Sequence, residues 1–447
     1  MAYDLTKGSI TKNMVKFALP LMIGNILQQC YNIADTLIVG RFLGEKALAA
    51  VGSAYTLMIF LTSMIIGLCM GSSAFFSIQF GRRDRARLKQ SFFVSFLSIG
   101  IFALVLNVIV YLALDGIVWF MRIPDEIVLI IKDYLRWVFP GIIVTFLYNY
   151  FANLLRAVGN SIIPLLFLGA ASIINIGLDL LFVLGFQWGV KGAAFATTIS
   201  QYIAGIGILY YYWKKCPELR VTREDMKWDK QILKEIANLS ILTCVQQSVM
   251  NFGILLVQGL VNSFGTIVMA AFAAAVKIDS LAYSPVQDFG NAFSTYVAQN
   301  FGANNKERIR KGIKAAVGLD FLFCMISSAV IYIFARQLLS FFIEPGKTDI
   351  ISVGVEYLHI EGACYLGIGI LFLLYGFYRA VERPGMSVLL TIVSLGTRVV
   401  LAYVLSAIPE IGVKGIWVSI PIGWFLADLV GVGFLFSKKS PLLQRSL

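Results

Sequence analysis

The chain has 447 residues, 58% hydrophobic and 14% charged, with a formal net charge of +12 and a mean hydropathy of +0.80. A soluble protein of this length cannot hide that much apolar surface, and runs of about 20 apolar residues, each able to cross ~30 Å of hydrocarbon as helix, recur from end to end. One histidine and six scattered cysteines without ligand spacing exclude a zinc site or a disulfide framework. There is no Walker A loop, so ATP does not drive it directly, and nothing points to an enzyme.

The start, MAYDLTKGSITKNMVK, is polar, and the apolar run after it is too long for the core of a cleavable signal peptide. The apolar pattern predicts an all-α integral membrane protein of twelve transmembrane helices. The first six spans fall at roughly 15–40, 52–80, 91–114, 130–155, 161–185 and 191–213. A strongly charged linker, 214–233, follows. Six more spans are expected at roughly 234–262, 268–299, 312–335, 353–380, 386–407 and 413–436. The predicted domains are therefore an amino-terminal lobe, 1–213, the linker, and a carboxyl-terminal lobe, 234–447.

Lysine and arginine sort across these spans. One set of loops holds Lys7, Lys12 and Lys16, then Arg82, Arg83, Arg85, Arg87 and Lys89, the linker, Lys306 to Lys314, and the tail residues Lys438 and Lys439. The opposite loops hold few, among them Arg41, Lys46, Arg122, Lys191, Lys347 and Lys414. The positive-inside rule then places both termini and the linker in the cytoplasm, in a bacterial cytoplasmic membrane. The same clustering accounts for the net charge of +12 without a nucleic-acid partner.

The halves repeat. RAVGN at 156–160 recurs as RAVER at 379–383, and GVKGAA at 189–194 as GVKGIW at 412–417, both at a shift of 223. Tyr134-Leu135 recurs as Tyr357-Leu358 at the same shift, and Phe80-Gly81 as Phe301-Gly302 at 221. Six spans per half start both halves on one side, as parallel, pseudo-symmetric repeats about an axis along the membrane normal. Two such lobes suit alternating access, and transport is the expected function.

Ionisable side chains inside spans cost roughly 2.5–3.5 kcal/mol each at the centre, so each is a functional candidate. Asp35 lies in the first span. Asp179 lies in the fifth with Asn175 one turn before it, and Thr197 and Gln201 lie in the sixth. At 1.5 Å rise, Asp35, Asp179 and Thr197 are each about 8–10 Å below the outer surface. Their repeat equivalents are Ile254, Ala402 and Ile420, and Arg398 stands opposite Asn175. The scaffold is duplicated and this polar cluster is not. Two such acids close together are expected to hold one proton or one cation between them.

The chain resembles the multidrug and toxic compound extrusion (MATE) family over nearly its full length. The resemblance rests on LTKGSITKNMVKFALP, NIADTLIVGRFLG, RAVGNSIIP and AQNFGANNKERIRKG, in that family's order and spacing. It implies cation-coupled export of drugs and organic cations through a V-shaped pair of lobes. It also implies an amino-lobe cation site of Asp35, Asn175, Asp179 and Thr197, with the Ala193 carbonyl as a further ligand, taking Na⁺ or H⁺. Pro20 matches a proline that kinks the first span in some relatives. The family's acids in spans seven and ten are not matched: span seven offers Gln246 and Gln247, and Glu361 in span ten is a turn away, so no carboxyl-lobe sodium site is expected.

Substrate-cleft candidates are Tyr55, Met58, Tyr148, Asn149, Asn153, Gln201, Gln246, Asn251, Tyr283 and Tyr365, whose rings and amides suit lipophilic or amphipathic cations. Asp279, Asp288, Asp320, Asp428 and Arg398 are also intramembrane. Lys277 is a candidate partner for Asp279 or Glu361, and Arg398 for Asp288. No cofactor beyond the coupling ion and no partner beyond substrate and bilayer is expected, and the protein is expected to act as a monomer. The alternative is a flippase for lipid-linked precursors in the same fold superfamily, which would carry several arginines in its cleft.

Overall fold

A computed structural model describes residues 4–120, 123, 125–344 and 346–437. Arg122, Lys438 and Lys439 lie outside the described residues. Among these the regular structure is helical: α1 (Ile10–Leu43), α2 (Glu45–Arg82), α3 (Arg85–Leu112), α4 (Leu114–Phe120), α5 (Asp125–Val138), α6 (Gly141–Ala157), α7 (Ile162–Asp179), α8 (Gly189–Lys215), α9 (Lys230–Asn262), α10 (Thr266–Gly302), α11 (Lys306–Ser340), α12 (Thr348–Ala363), α13 (Tyr365–Ala380), α14 (Pro384–Ser406) and α15 (Lys414–Phe436). Helices are what the bilayer demands, since each backbone N–H and C=O must find its partner within its own segment.

All twelve predicted spans fall on helix, two of them in pieces. The span expected at 130–155 is α5 and α6, broken at Pro140, and the span at 353–380 is α12 and α13, bent by 52° at Cys364. By length and apolarity alone, nine helices among the described residues suffice to cross a membrane, or ten if the bent pair counts as one. The shortfall from twelve has a local cause. α5 and α6 are only 14 and 17 residues long, and α1 interleaves Asn25, Gln28, Gln29, Asn32 and Asp35 with its apolar residues.

Two compact units are present, Met1–Asp4 with Ile23–Cys244, and Leu5–Met22 with Val245–Leu447. The long helices α1 and α9 are each divided between them. The boundaries therefore differ from a plain cut at the linker: residues 5–22 count with the second unit, and the linker with the start of α9 counts with the first.

The backbone repeats as the sequence does. Left-handed residues pair across the repeat: Gly44 (φ 85°) with Gly265 (φ 94°), Arg83 (61°) with Asn304 (54°), Gly159 (88°) with Glu382 (59°), and Gly189 (60°) with Gly412 (54°). The caps repeat too. Asp84 accepts the Arg87 N–H at 3.0 Å at the start of α3, and Asn305 accepts the Arg308 N–H at 3.0 Å at the start of α11.

In the second unit, two stretches that carry the family resemblance meet. Leu5 is fully buried, and its N–H donates to Gln299 at 3.0 Å. Arg308 donates to the carbonyls of Gly8 and Lys7 at 2.9 and 2.8 Å. The segment LTKG is thus strapped to AQNFGANNKERIR by side chains reading its backbone.

Close helix crossings use small residues, as membrane helices do. In the first unit, a Cβ on Gly67 would sit 2.5 Å from Cys244 Cα, and the Ser72 and Ser240 hydroxyls bond at 2.9 Å. In the second, a Cβ on Gly376 would sit 2.5 Å from the Gly290 carbonyl oxygen, whereas Gly318 has nothing within 4 Å. Gly376→Ala should therefore destabilise the protein by about 1–3 kcal/mol. Gly318→Ala should leave it unchanged or raise its stability by up to ~1 kcal/mol. Thermal unfolding of the two variants in detergent checks the contrast.

Candidate functional site

In the first unit, three helices bring the sequence-predicted cluster together. α7 ends at Asp179, which is fully buried, with Asn175 2% exposed one turn earlier. The half-buried Asp35 of α1 and Asp179 lie within electrostatic reach of each other. Ionised carboxylates only accept, so neither acid can satisfy the other without a proton or a cation. Neither carboxyl oxygen of Asp179 has a hydrogen-bond partner, and neither amide atom of Asn175 has one. No lysine or arginine acts on either acid.

α8 supplies Thr197, whose hydroxyl donates to the Ala193 carbonyl at 3.0 Å. One lone pair of that carbonyl is thus engaged within its own helix. The Tyr134 phenol of α5 reaches Thr197, and Tyr134 and Tyr31 both lie within electrostatic reach of Asp35 and Asp179. Neither tyrosine was a sequence candidate. Tyr134 did carry a signal, because Tyr134-Leu135 was one of the repeat matches.

Directly after Asp179 the helix widens into a π turn, Leu180–Gly185. π turns often mark functional positions in helices. This one is held from both sides. A Cβ on Gly192 would lie 3.1 Å from Phe182, and the Phe182 ring stacks on Trp188 at 4.9 Å. The all-apolar LLFVLG gives no hint of it.

The remaining first-unit candidates are spread out. Tyr55 is 44% exposed and accepts from Asn32 at 3.3 Å, and Asp35 acts on it electrostatically. Met58 is half-buried. Tyr148 donates to the Pro164 carbonyl at 3.0 Å. Asn149 and Asn153 donate to carbonyls one turn back on α6 at 2.9 and 2.8 Å. Gln201 packs its Oε1 against Gly141 and leaves it without a hydrogen-bond partner. Pro20 sits inside α1, which runs through it as one helix.

The second unit builds a different cluster. Asp279 of α10 accepts from Tyr365 at 2.7 Å and from Tyr357 at 3.4 Å. Arg398 acts on Asp279 and on Glu361, whose fully buried carboxyl has no hydrogen-bond partner. Tyr283 is within their electrostatic reach. Arg398 acts electrostatically on Asp279 and Glu361, and the Lys277 ammonium lies over the Phe342 ring at 6.0 Å. Gln246 is buried with its Oε1 unpaired, and Asn251 is half-buried.

Comparison with known proteins follows this geometry. The sequence profile of the MatE family matches residues 20–181 and again 242–404. The chain is 32% identical to the probable multidrug resistance protein YpnP of Bacillus subtilis strain 168, over 99% of this chain and 96% of that protein. It is 25% identical to the multidrug export protein MepA of Staphylococcus aureus strain MSSA476, over 98% and 96%. A solved structure of an outward-facing multidrug resistance MATE family transporter of the MOP superfamily superposes with a TM-score of 0.93, over 99% of this chain and 98% of that one. At 24% identity that likeness speaks for the fold.

The Asp279 geometry makes a graded prediction. Tyr365→Phe removes the 2.7 Å donor of a buried carboxyl and should destabilise by about 1–3 kcal/mol. Tyr357→Phe removes only the 3.4 Å contact and should cost less. Denaturation of both variants side by side tests the order.

Proposed function

The chain belongs to the MatE family, and from that premise we propose that it exports lipophilic organic cations by antiport against H⁺ or Na⁺. It is an integral membrane transporter and not an enzyme. Its place in a bacterial cytoplasmic membrane with both termini inside, its action as a monomer, and the functional division into lobes 1–213 and 234–447 belong to the same proposal.

One observation carries the coupling: Asp179 is fully buried with neither carboxyl oxygen hydrogen-bonded, Asp35 lies within its electrostatic reach, and among the described residues no basic side chain acts on either. Such a pair holds a proton, or a cation in its place, and cannot stand empty in both carboxylates. A proton could be held by the carboxyls alone. Na⁺ would instead draw on the oxygens of Asp35, Asn175, Asp179 and Thr197. A bound cation then stabilises one conformation and the substrate another, which is antiport by differential binding to two states. The force suffices, since one charge crossing about 150 mV releases ~3.5 kcal/mol, equivalent to a few-hundred-fold gradient.

Within the first unit, Tyr55, Met58, Asn149 and Asn153 are the side chains expected to meet substrate, and within the second unit Gln246, Asn251 and Tyr283. The flippase reading calls for several free arginines, and Arg379 is already bonded to Asn291 at 2.9 Å and to Ser294 at 3.4 Å.

The test is ethidium export from proteoliposomes under separately imposed H⁺ and Na⁺ gradients. One of the two gradients should drive export, and Asp35→Asn and Asp179→Asn should each reduce it to the level of empty vesicles while leaving the thermal melt intact. Undiminished export by both variants, or indifference of the wild type to both gradients, would sink the proposal.

A further inference from the structure

The charged linker has one side fixed in place. Leu219, Val221 and Leu233 pack against the core of the first unit, and Ile232 is 2% exposed. Tyr212 of α8 donates to the Leu219 carbonyl at 2.7 Å, and Gln90 of α3 donates to the Lys227 carbonyl at 3.2 Å. The other side therefore presents a definite set of residues. Trp213, Met226 and Trp228 on it are 55%, 51% and 48% exposed.

Charge on this surface is one-sided. Lys214, Lys215, Arg223, Lys227, Lys230 and Lys234 are exposed, and none of them forms an ion pair among the described residues. The nearby acids are engaged within the protein. Glu218 pairs with Arg85 at 3.4 Å and Glu235 with Arg87 at 2.8 Å. Asp225 accepts from the Thr222 N–H and hydroxyl at 2.9 and 2.7 Å. Asp229 caps α9, accepting from the Gln231 and Ile232 N–H groups at 2.7 and 3.1 Å. Glu224 is the one acid of the stretch without such a contact.

The loops at the other ends of the spans behave differently. Lys46 pairs with Glu126 at 2.7 Å, Lys132 with Asp115 at 2.6 Å, Lys191 with Asp133 at 3.3 Å and Lys414 with Glu356 at 2.6 Å. There the chain supplies the counter-charge of its own lysines. On the linker it does not, so the counter-charge comes from outside the chain.

Position identifies the source. Trp213 stands in the last turn of α8 and Trp228 two residues before α9, and both helices are long and apolar enough to cross a membrane. Tryptophan at the end of a span sits at headgroup level. The Arg220 guanidinium lies 5.6 Å from the centre of the Trp213 ring, so the chain beyond α8 turns back to the end of that span. Exposed apolar side chains among unpaired cations, at the ends of two spans, complement a leaflet that carries anionic phosphates over hydrocarbon.

We propose that the surface from Trp213 to Lys234 binds anionic phospholipids, with its lysines and Arg223 on the phosphates and Trp213, Met226 and Trp228 at the level of the glycerol backbone. This binding is independent of the chemistry at Asp35 and Asp179, and export plays no part in its test.

Native mass spectrometry of the full-length protein in neutral detergent, with phosphatidylglycerol or phosphatidylcholine added, reads the surface. Phosphatidylglycerol should bind more tightly. Arg223→Gln/Lys227→Gln/Lys230→Gln should weaken it by about tenfold or more and leave phosphatidylcholine unchanged, with the thermal melt intact. Lys46→Gln/Lys191→Gln/Lys414→Gln removes as much charge from the opposite loops and should change neither lipid. Trp228→Ala keeps every cation and should weaken phosphatidylglycerol by a smaller factor. Soluble glycerol phosphate in excess should not displace the lipid. Phosphatidylglycerol binding that survives both linker variants overturns the proposal, as does an equal loss in the two triple variants. Displacement by glycerol phosphate overturns it too, since the surface would then hold free phosphate and not lipid.

Discussion

The constraint behind this structure is the cost of an ionised carboxylate in hydrocarbon. Six of the acids inside its helices meet that cost in three ways. Asp279 takes two phenol donors and the field of Arg398, with Glu361 close by in the same field. Asp35 and Asp179 lie within electrostatic reach of each other, and among the described residues no lysine or arginine acts on them. Asp320 and Asp428 are buried without hydrogen-bond partners, Asp320 against Gly369. In the first case the neutralising charge is part of the chain. In the other two it must come from outside, and groups of that kind can respond to ion gradients.

The frame around these acids is conservative by comparison. Left-handed turns, helix caps and bends recur from one half to the other, even where the residue changes, as at Gly159 and Glu382. Backbone geometry is set by local sterics and by the need to close every hydrogen bond inside a helix. It tolerates wide changes of side chain as long as turns and close crossings remain. The duplicated scaffold can therefore hold unlike chemistry in its two copies.

Depth was legible in the sequence and facing was not. The polarity of α1, α7 and α8 put Asp35, Asp179 and Thr197 in one layer, and the chain brings them together. The breaks at Pro140 and Cys364 were missed because apolar runs pass through both without a change of composition. The π turn after Asp179 was missed for the same reason. Tyr31 and Tyr134 escaped notice because tyrosines are common in such helices, although the repeat had already paired Tyr134 with Tyr357. The reach of Arg398 to Asp279 and Glu361 was not legible, since spacing along helices says nothing of which faces meet.

That tyrosine pair shows what divides the halves. Tyr134 lies in reach of Asp35 and Asp179, and Tyr357 donates to Asp279, so both copies keep a phenol beside their acids. What changes is the group opposite. The first half has Asn175, a neutral amide whose donor and acceptor are both unused. The second has Arg398, a permanent cation. Replacing an exchangeable positive charge by a tethered one removes the dependence on an external ion while leaving the acids neutralised. The asymmetry therefore sorts the acid clusters by physics: the one that includes an arginine is fixed in charge, and those without one change charge with what they bind.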